Sequence, residues 1–544
     1  MTFTDDVLAE MSRVWTSKPY CLTVTDDLLF NWRSITEAIL DHAEENLAGN
    51  KPAILRLVNA ETGTGKTTLI TVLLGMMGRH DLKHRVLFMT AFKEEATRLA
   101  QAINAITEKR DYAIAQHGDH KWAYGRSRHY PCKVITTNAY IRGLNDNERM
   151  DALYACDDGV RNITLFDEAL SPVSVYKMTS ASAGSFFADL PESIIMNDKL
   201  AETAFVLEEY RKARERFLET GIGTPEPFAL PRNFDVLRQA IKGSYDMDEE
   251  AKHAFEDKVA MLKAFAAATA SRLIAPEGAN AHGMYAGVHQ PIFHRSAVIL
   301  DATADLNLAY ALLPSGTVQW VPVRKIRQYP DVILRAVVNT ATGKGKIEAE
   351  PDIRLDHLWN RTVLHRLDGP TAIVSHKGVE NAFNALFRKE AEKHNANPGM
   401  LFGYYGKLNG LNKMKDCTNL LALSWPHMTE GWAIVLFEAL HGTQSPEWRA
   451  GKVIREWTDN RGITHDDIIR AILEGQAAHT VVQEINRICI RKNTGTNGSC
   501  PPASIVHIWP SGSRYFKPMA ILDMVMDTMS GMKVVSDYGY DWPG

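Results

Sequence analysis

The amino-acid sequence predicts an α/β fold with two halves, each built around a parallel sheet, and with a helical subdomain inserted between them. In residues 51–170, short apolar runs alternate with amphipathic stretches, which is the pattern of β-α-β units. A second series of apolar runs follows residue 296. Between the two series, residues 190–280 are dominated by the periodicity of about 3.6 residues that indicates helices.

The predicted strands are nearly continuous apolar runs, as expected for strands that are covered on both faces. In the first half they are residues 53–60, 85–90, 133–137 and 162–167, with predicted helices at 66–77 and 93–106 between them. After the insertion they are residues 297–300, 332–338, 371–375, 420–424 and 505–509. The predicted helices of the insertion are residues 200–219, 234–242 and 248–274.

The composition excludes several classes of protein. With 45% hydrophobic and 23% charged residues, the chain is neither disordered nor collagen-like. No run approaches the roughly 18 apolar residues of a membrane span, and residues 1–15 lack the apolar core of a secretory signal. Six cysteines without paired spacing are typical of a reducing compartment, so we expect a cytoplasmic protein without a membrane partner. The net charge of −4 argues against coating nucleic acid by bulk charge, although a locally basic cleft could hold a strand.

A glycine-rich loop lies between the first predicted strand and the first predicted helix. It reads Ala60-Glu61-Thr62-Gly63-Thr64-Gly65-Lys66-Thr67-Thr68. Glycines let backbone N–H groups turn towards phosphate oxygens, and the helix that follows directs its positive end at them. In this pattern Lys66 reaches the β- and γ-phosphates, and the hydroxyl of Thr67 is a ligand of Mg²⁺. The loop therefore predicts a nucleotide held by Thr62, Gly63, Thr64, Gly65, Lys66, Thr67 and Thr68.

Two carboxylates end the predicted strand at residues 162–167. Asp167 would lie beside the glycine-rich loop and hold Mg²⁺, directly or through water. Glu168 would polarise the water that attacks the γ-phosphate. An acidic pair can also cap the helix that follows it. Its place about 100 residues after a phosphate-binding loop favours the catalytic interpretation.

Further short motifs accompany the loop and the acidic pair in a fixed order. They are residues 87–93, 135–138, 301–304, 374–377, 406–412 and 483–491. With residues 60–68 as motif I and Asp167-Glu168-Ala169-Leu170 as motif II, they resemble motifs Ia, Ib, III, IV, V and VI of the helicases and translocases of superfamily two. The series covers most of the chain, and motifs I, II and VI are its most specific members. Its divergence suggests a phage or mobile-element protein.

The resemblance implies two RecA-like lobes with ATP bound in the cleft between them. Gln483, Arg487 and Arg491 of lobe two would act on the phosphates held by lobe one when the cleft closes. The motif III residues Asp301, Ala302 and Thr303 would couple ATP to nucleic acid. Contacts in this family go mainly to backbone phosphates. The residues implied for them are Phe92, Lys93, Thr137, Asn138, His376 and Lys377.

The chain departs from the family pattern in several places. The arginines of motif VI are usually three residues apart, whereas Arg487 and Arg491 are four apart, a spacing that on a helix leaves both on one face. We prefer Arg491 as the arginine finger. Asp301 stands where serine is usual in motif III. No glutamine precedes Gln101, so a glutamine that reads adenine upstream of motif I is missing, and motif II ends in Leu170 instead of aspartate.

The distance between motifs II and III predicts the insertion. About 130 residues are too many for an ordinary connection, so we expect a helical subdomain there, and a protein partner would bind it. Helicases with an iron–sulfur cluster carry an insertion at the same point, but the cluster needs four cysteines between motifs I and II. Because only Cys132 and Cys156 lie there, such a cluster is rejected.

Two features near residue 120 have more than one interpretation. His117, His120, His129 and Cys132 offer the ligand types of a zinc site, although we prefer a basic loop near nucleic acid. Residues 121–130 interleave aromatic and basic side chains, which could stack on bases or form a solvated loop.

The predicted domains are an N-terminal helical extension (1–48), lobe one (49–178), the helical insertion (179–288), the return of lobe one with motif III (289–325), lobe two (326–518) and a C-terminal tail (519–544). The predicted function is that of an ATP- and Mg²⁺-dependent helicase or translocase that moves along or remodels nucleic acid, DNA in preference to RNA. One alternative is a phage packaging-type ATPase motor, whose nuclease domain would need carboxylates such as Asp459, Asp466 and Asp467. The other is an ATP-switched nucleic-acid-binding scaffold.

Overall fold

The computed structural model of the chain consists mainly of two parallel sheets and the helices that cover them. It describes residues 2–17, 22–49, 54–118, 126–144, 147–179, 239–249, 271–278, 281–289, 296–339, 369–376, 399–405, 413–423, 428–449, 454–457, 461–492, 498–510 and 516–537, with single residues between some of these ranges.

The first sheet is made of strands from both sides of the insertion. The strands of this part of the chain are β1 (Leu55–Val58), β2 (Val86–Thr90), β3 (Ala113–Gln116), β4 (Cys132–Thr136), β5 (Ala155–Cys156), β6 (Gly159–Val160), β7 (Ile163–Phe166), β8 (Val173–Thr179), β9 (Ser271–Gly278), β10 (Ala281–His289), β11 (Ala297–Leu300) and β12 (Val318–Trp320). Seven of them form a wholly parallel sheet in the order β12-β1-β11-β7-β2-β4-β3. The return of the chain after the insertion thus places β11 between β1 and β7.

Helices cover both faces of this sheet, which explains why its central strands are apolar throughout. They are α1 (Phe3–Thr16), α2 (Asp26–Ala48), α3 (Lys66–Arg79), α4 (Lys93–Thr107), α5 (Thr137–Gly143), α6 (Asn147–Tyr154) and α7 (Leu308–Ala311), with a 3₁₀ turn at Ser127–His129. Thr2 and Asp5 form a capping box at the start of α1, and the hydroxyl of Thr25 caps α2. Helices α1 to α4 share one apolar core on one face, and α5 and α6 contribute to the core of the other.

The second sheet is also wholly parallel. The elements of this half are α8 (Glu430–His441), α9 (Pro446–Arg449), α10 (His465–Ile485) and α11 (Pro518–Thr528), a 3₁₀ turn at Cys489–Arg491, and the strands β13 (Val332–Asn339), β14 (Thr371–Ser375), β15 (Met400–Tyr404), β16 (Asn419–Leu423), β17 (Ile454–Trp457), β18 (Arg461–Thr464), β19 (Ala503–Pro510) and β20 (Lys533–Asp537). Six strands form the sheet in the order β15-β14-β16-β19-β13-β20, and β17 and β18 form a separate hairpin. The prediction of an α/β fold with two parallel sheets is confirmed.

The insertion contains strands where the sequence predicts helix. The predicted helix 248–274 runs into β9 at Ser271, and β9 and β10 form an antiparallel sheet with β8 in the order β8-β10-β9. Local helical periodicity is overridden here by pairing between strands and by packing of this sheet on α8 of the second half. Gly287 marks the contact, since a Cβ atom there would lie 2.2 Å from the carbonyl oxygen of Val435. The predicted helix 200–219 and most of 234–242 lie outside the described residues.

The chain after residue 518 is part of the second half. Helix α11 packs on α10, and β20 pairs with β13 at the edge of the second sheet, so the C-terminal tail predicted for 519–544 contributes at least these two elements to lobe two. Within the described part of the chain, no helix has the length and apolar character needed to cross a bilayer. The cysteines of that part, Cys132, Cys156, Cys417, Cys489 and Cys500, are free thiols.

A buried histidine makes the free energy of unfolding depend on pH. The Nε2 atom of His42 in α2 accepts a hydrogen bond of 3.0 Å from the backbone N–H of Thr164 in β7, and burial lowers its pKa from 6.5 to about 3. Because the folded-state pKa of His42 lies below the unfolded value, the neutral form of His42 favours the folded chain. This contribution to the free energy of unfolding is fully present above pH 6.5 and is lost as the pH falls towards 3. The loss approaches about 1.4 kcal/mol per pH unit.

We expect this loss to appear when urea unfolding of the wild-type chain is compared with that of His42→Gln. The amide oxygen of the glutamine can still accept the Thr164 hydrogen bond. Between pH 6.5 and 5.5 the wild-type chain should lose about 1 kcal/mol more than the variant. If the free energy of unfolding fell equally with pH in the two proteins, His42 would be shown to take up its proton in the folded state.

Candidate active site

The glycine-rich loop connects β1 to α3 and curls around its own backbone. Gly63 and Gly65 have φ angles of +83° and +84°, which glycine adopts without strain. The indole Nε1 of Trp32 in α2 donates a hydrogen bond of 2.9 Å to the carbonyl oxygen of Thr64. The ring of Trp15 in α1 lies over Gly65, so close that a Cβ atom there would approach it to 2.7 Å. The two N-terminal helices therefore fix the shape of the loop from outside.

Lys66 lies inside this loop. Its Nζ donates to the carbonyl oxygens of Ala60 and Glu61, the latter at 2.9 Å. Burial lowers the pKa of Lys66 to about 8, although the neighbouring carboxylates Asp167, Asp301 and Glu61 act in the opposite direction. An ammonium group among neutral carbonyl oxygens forms stronger hydrogen bonds with charged oxygens, such as those of a phosphate.

The two carboxylates follow β7, which ends at the same edge of the sheet as β1. The hydroxyl of Thr67 donates to both carboxylate oxygens of Asp167, at 2.8 and 3.0 Å. Burial raises the pKa of Asp167 to about 7, and the nearby Glu168 adds to the effect. Burial also raises the pKa of Glu168, whereas the guanidinium of Arg487 opposes this rise. A hydroxyl and a carboxylate at hydrogen-bond distance are a donor set that fits Mg²⁺, a hard cation that takes oxygen ligands.

Strand β11 brings a third chain segment to this edge. One carboxylate oxygen of Asp301 accepts hydrogen bonds of 2.9 Å from the backbone N–H and from the hydroxyl of Thr303. The Thr303 hydroxyl also lies 2.7 Å from Nδ1 of His479 and accepts from the amide of Gln483 at 3.4 Å. Since His479 and Gln483 belong to α10, Thr303 links the first half directly to the second.

The arginines of the second half do not share a helix face, contrary to the expectation from their spacing. Helix α10 ends at Ile485, and the backbone N–H of Arg487 donates to the carbonyl oxygen of Glu484, three residues back instead of four, at 2.9 Å. Arg487 lies beyond this end, and Arg491 closes the 3₁₀ turn that follows. Arg487 donates to the side-chain oxygen of Gln483 at 3.0 Å and lies 4.0 Å from the carboxylate of Glu168.

These segments enclose one cleft of about 720 Å³, a volume within the range of small-molecule sites. Its walls include most of the site residues predicted from the sequence, namely Thr62, Gly63, Gly65, Lys66, Thr67, Thr68, Phe92, Asp167, Glu168, Asp301, Ala302, Gln483, Arg487 and Arg491. The cleft thus places the glycine-rich loop and the acidic pair of the first half opposite the arginines of the second.

Other predicted residues lie outside the cleft. Thr64 and Thr303 are buried behind its wall. Lys93 and Asn138 are exposed and Thr137 is half-buried, just after the paired ends of β2 and β4, so they share one edge of the first sheet. His376 directly follows β14 in the second sheet, with its ring 5.2 Å from that of Tyr405. Lys377 and the motif V residues 406–412 lie outside the described part of the chain.

Several residues around the cleft have no counterpart in the prediction. They are Trp15, Trp32, Glu61, Arg327, His479, Lys415 and Lys492. Glu61 stands within motif I, so the sequence offered a signal for it. Lys492 directly follows Arg491, and Lys415 follows the motif V segment closely. Trp15, Trp32, Arg327 and His479 are brought in by the packing of segments that are distant in the sequence.

The histidines considered for zinc are placed differently from a ligand set. The Nε2 atom of His117 is 2.8 Å from the hydroxyl of Thr97, His129 pairs with Asp157, and Cys132 is buried in β4. The structure brings together no group of three or more metal-ligating side chains among the residues that it describes, and His120 and residues 121–125 are not among them.

No family model and no curated protein matches the sequence. The fold is similar to that of solved structures at low sequence identity. S. cerevisiae Dbp5 bound to RNA and ADP BeF3 is 10% identical, with 94% of each chain covered and a TM-score of 0.36. The DEAD-box helicase Mss116 bound to ssRNA and UDP-BeF is 8% identical over 99% of this chain and 81% of that one, with a TM-score of 0.33. A DEAD box protein from the hyperthermophile Methanococcus jannaschii is 11% identical over 95% of this chain and 97% of that one, with a TM-score of 0.28.

Proposed function

We propose that the chain is an ATP-dependent helicase or translocase that hydrolyses ATP in the cleft between its two halves. One observation carries the proposal. Arg487 of the second half lies 4.0 Å from the carboxylate of Glu168 in the first half. Both residues line the same cleft as the phosphate-binding loop. Cations supplied by a second lobe can stabilise the charge that develops during phosphoryl transfer only when the lobes are together.

The roles of the residues follow from their positions. The loop residues 62–68 bind the phosphates, and Lys66 moves from the carbonyl oxygens of its own loop to the β- and γ-phosphates. Thr67 and Asp167 would hold Mg²⁺, which supplies positive charge beside the phosphate oxygens. Glu168 orients and polarises the attacking water. Gln483 holds Arg487 by the 3.0 Å hydrogen bond, and Arg487 and Arg491 neutralise the phosphates.

Thr303 is the proposed coupling point between the chemistry and the movement. It is bound to Asp301 at the floor of the cleft and to His479 and Gln483 of the second half. A change in the charge held by the cleft therefore shifts both halves through the same hydroxyl group. Because the contacts are hydrogen bonds between two separate segments, they break and re-form as the halves separate and close.

The proposed nucleic-acid contacts lie at the carboxyl ends of strands in both halves. Phe92, Lys93, Thr137 and Asn138 follow β2 and β4, and His376 follows β14. Lys377, the next residue in the sequence, lies outside the described residues and is proposed from the sequence alone. A strand held there is gripped by its phosphates, which makes binding largely independent of base sequence. We take DNA as the strand and the insertion as the surface for a protein partner, both as parts of the proposal.

The test is the rate of ATP hydrolysis in the presence of Mg²⁺ with single-stranded DNA, duplex DNA and RNA, each at the same ionic strength. We expect the rate to rise at least about tenfold with the preferred strand and the effect to weaken steeply with salt, because phosphate contacts release counterions. A larger rise with RNA would replace DNA in the proposal. A rate that no strand changes would contradict the motor and favour a nucleotide-switched scaffold.

The packaging-motor alternative has no specific observation in its favour. Asp466 and Asp467 stand in the first turn of α10, where acidic residues stabilise a helix N-terminus. No cluster of three carboxylates or other metal ligands occurs in the portion of the chain that the structure covers. Mg²⁺-dependent cleavage of plasmid DNA by the pure protein would revive this alternative.

A further inference from the structure

The connection between the two halves touches the phosphate-binding loop. Residues 321–331 lead from β12 of the first sheet to β13 of the second. In this segment the backbone N–H groups of Ile326 and Arg327 both donate to one carboxylate oxygen of Glu61, at 2.6 and 2.7 Å. Glu61 lies two residues before Gly63, so the connection and the loop are joined at the rear of the cleft.

The side chain of Arg327 continues from this point into the second half. It is only 2% exposed, and its guanidinium donates to the carbonyl oxygens of Ile490 and Arg491, the latter at 3.4 Å. Gly63 lies against the same Arg491 carbonyl, since a Cβ atom at position 63 would be 2.2 Å from it. The backbone that carries the Arg491 side chain is therefore held between Arg327 and the phosphate-binding loop.

The connection also holds the far end of this arginine segment. The backbone N–H of Gln328 donates to the carbonyl oxygen of Gly498 at 3.2 Å, and that of Cys500 donates to the carbonyl oxygen of Gln328 at 3.2 Å. Gly498 has a φ of +77°, and a Cβ atom there would lie 2.0 Å from the carbonyl oxygen of Ile326. Residues 490–491 and 498–500 are thus both fixed to a segment that Glu61 fixes to the loop.

We propose that Glu61 and Arg327 form a latch that positions Arg491 over the bound phosphates. Neither residue touches the reacting atoms in this arrangement, so both are positioning residues that act through Arg491. The inference deepens the proposed function and rests on it. A fixed backbone leaves only side-chain rotation to bring the Arg491 guanidinium to the phosphates, and errors of about 1 Å in such placement cost about a hundredfold in rate.

The test is a double-mutant cycle on the strand-stimulated ATPase of the full chain. We expect Arg327→Gln to lower kcat about ten- to a hundredfold with little change in KM. Arg491→Ala should lower kcat about a thousandfold. Because Arg327 acts through Arg491, the double variant should be no slower than Arg491→Ala alone. Arg327→Lys, which keeps a cation able to donate to two carbonyl oxygens, should recover part of the loss.

Two further variants keep the proposal testable if Arg327→Gln fails to fold. Glu61→Gln retains the oxygen that accepts both backbone N–H groups and should lose less than about threefold in kcat, whereas Glu61→Ala should lose about tenfold or more. Arg324→Gln is the matched control. Arg324 lies in the same segment but is about half exposed, and it pairs with Asp27 on the surface. Thermal unfolding is measured for every variant.

The outcomes separate this inference from the proposed function. A wild-type chain whose ATP turnover is not above that of Lys66→Ala would overturn both. If the wild-type chain turns over ATP, a kcat of Arg327→Gln equal to that of Arg324→Gln would overturn the latch alone. Additive losses in the double variant, or an effect confined to KM, would do the same, because Arg327 would then act independently of Arg491.

Discussion

Replacing Glu168 by glutamine is expected to abolish ATP turnover while leaving ATP binding intact. Glutamine keeps the size of the side chain but cannot accept a proton from the attacking water, and loss of such a group costs about a hundred- to ten-thousandfold in rate. Burial raises the pKa of Glu168, which makes its carboxylate a stronger base than an exposed one, and Arg487 at 4.0 Å keeps it oriented. We therefore expect kcat to fall by about three orders of magnitude.

The measurement combines steady-state hydrolysis with titration by a fluorescent ATP analogue. Glu168→Gln should bind the analogue within a few-fold of the wild-type affinity, whereas Lys66→Ala should lose both binding and turnover because it lacks the cation for the phosphates. Glu148→Gln, an exposed glutamate on α6, is the control for loss of a carboxylate. Hydrolysis by Glu168→Gln at the wild-type rate would remove Glu168 from the mechanism.

Removing the guanidinium of Arg491 is expected to have a comparably large effect. An arginine that reaches the transferred phosphoryl group is worth about a thousand- to a hundred-thousandfold in kcat. Arg491 and Arg487 both line the cleft, but they are held differently. The backbone of Arg491 contacts the phosphate-binding loop at Gly63, whereas the guanidinium of Arg487 is engaged by Gln483 and Glu168. We expect Arg491→Ala to be the more severe variant and Arg487→Ala to lose about a hundredfold.

Lysine replacements distinguish charge from geometry at these positions. Lysine retains one positive charge but lacks the planar fork that binds two oxygens at once, so Arg491→Lys should recover less than about a tenth of the wild-type kcat. Single-turnover hydrolysis shows whether the chemical step is affected. If Arg487→Ala proves more severe than Arg491→Ala, the finger is Arg487, and Arg491 contributes only to the electrostatic field of the cleft.

The fold of both halves could be predicted from the sequence because parallel strands covered on two faces have a strong signature. Strands β11 and β14 have the predicted bounds, and the other predicted strands differ by a few residues at their ends. The four edge strands of the two sheets, β3, β12, β15 and β20, were missed. Each pairs on one side only, and β12 is only three residues long with two exposed side chains.

The candidate site could be predicted where its residues are close in sequence. The loop, the acidic pair and motif III each follow a strand, and parallel strands bring these ends to one edge. The end of α10 at Ile485 could not be predicted, since no glycine or proline follows closely in the sequence. Arg327 and His479 could not be predicted either, because their partners, Arg491 and Thr303, are more than 160 residues away in the chain.

The small antiparallel sheet of the insertion restricts how the cleft can open. Tyr285 of β10 is buried against α8 and receives a hydrogen bond of 2.8 Å from Thr429, while the chain itself crosses between the halves at residues 321–331. Besides the cleft contacts of Thr303 and Glu168, which break as the halves separate, the two lobes are therefore joined at two separate places. A body held at two points relative to another can only turn about the line through them, so opening of the cleft should be a rotation about one axis. Distances measured between labels on the two lobes should then change together along a single arc, however the nucleotide and the strand are bound.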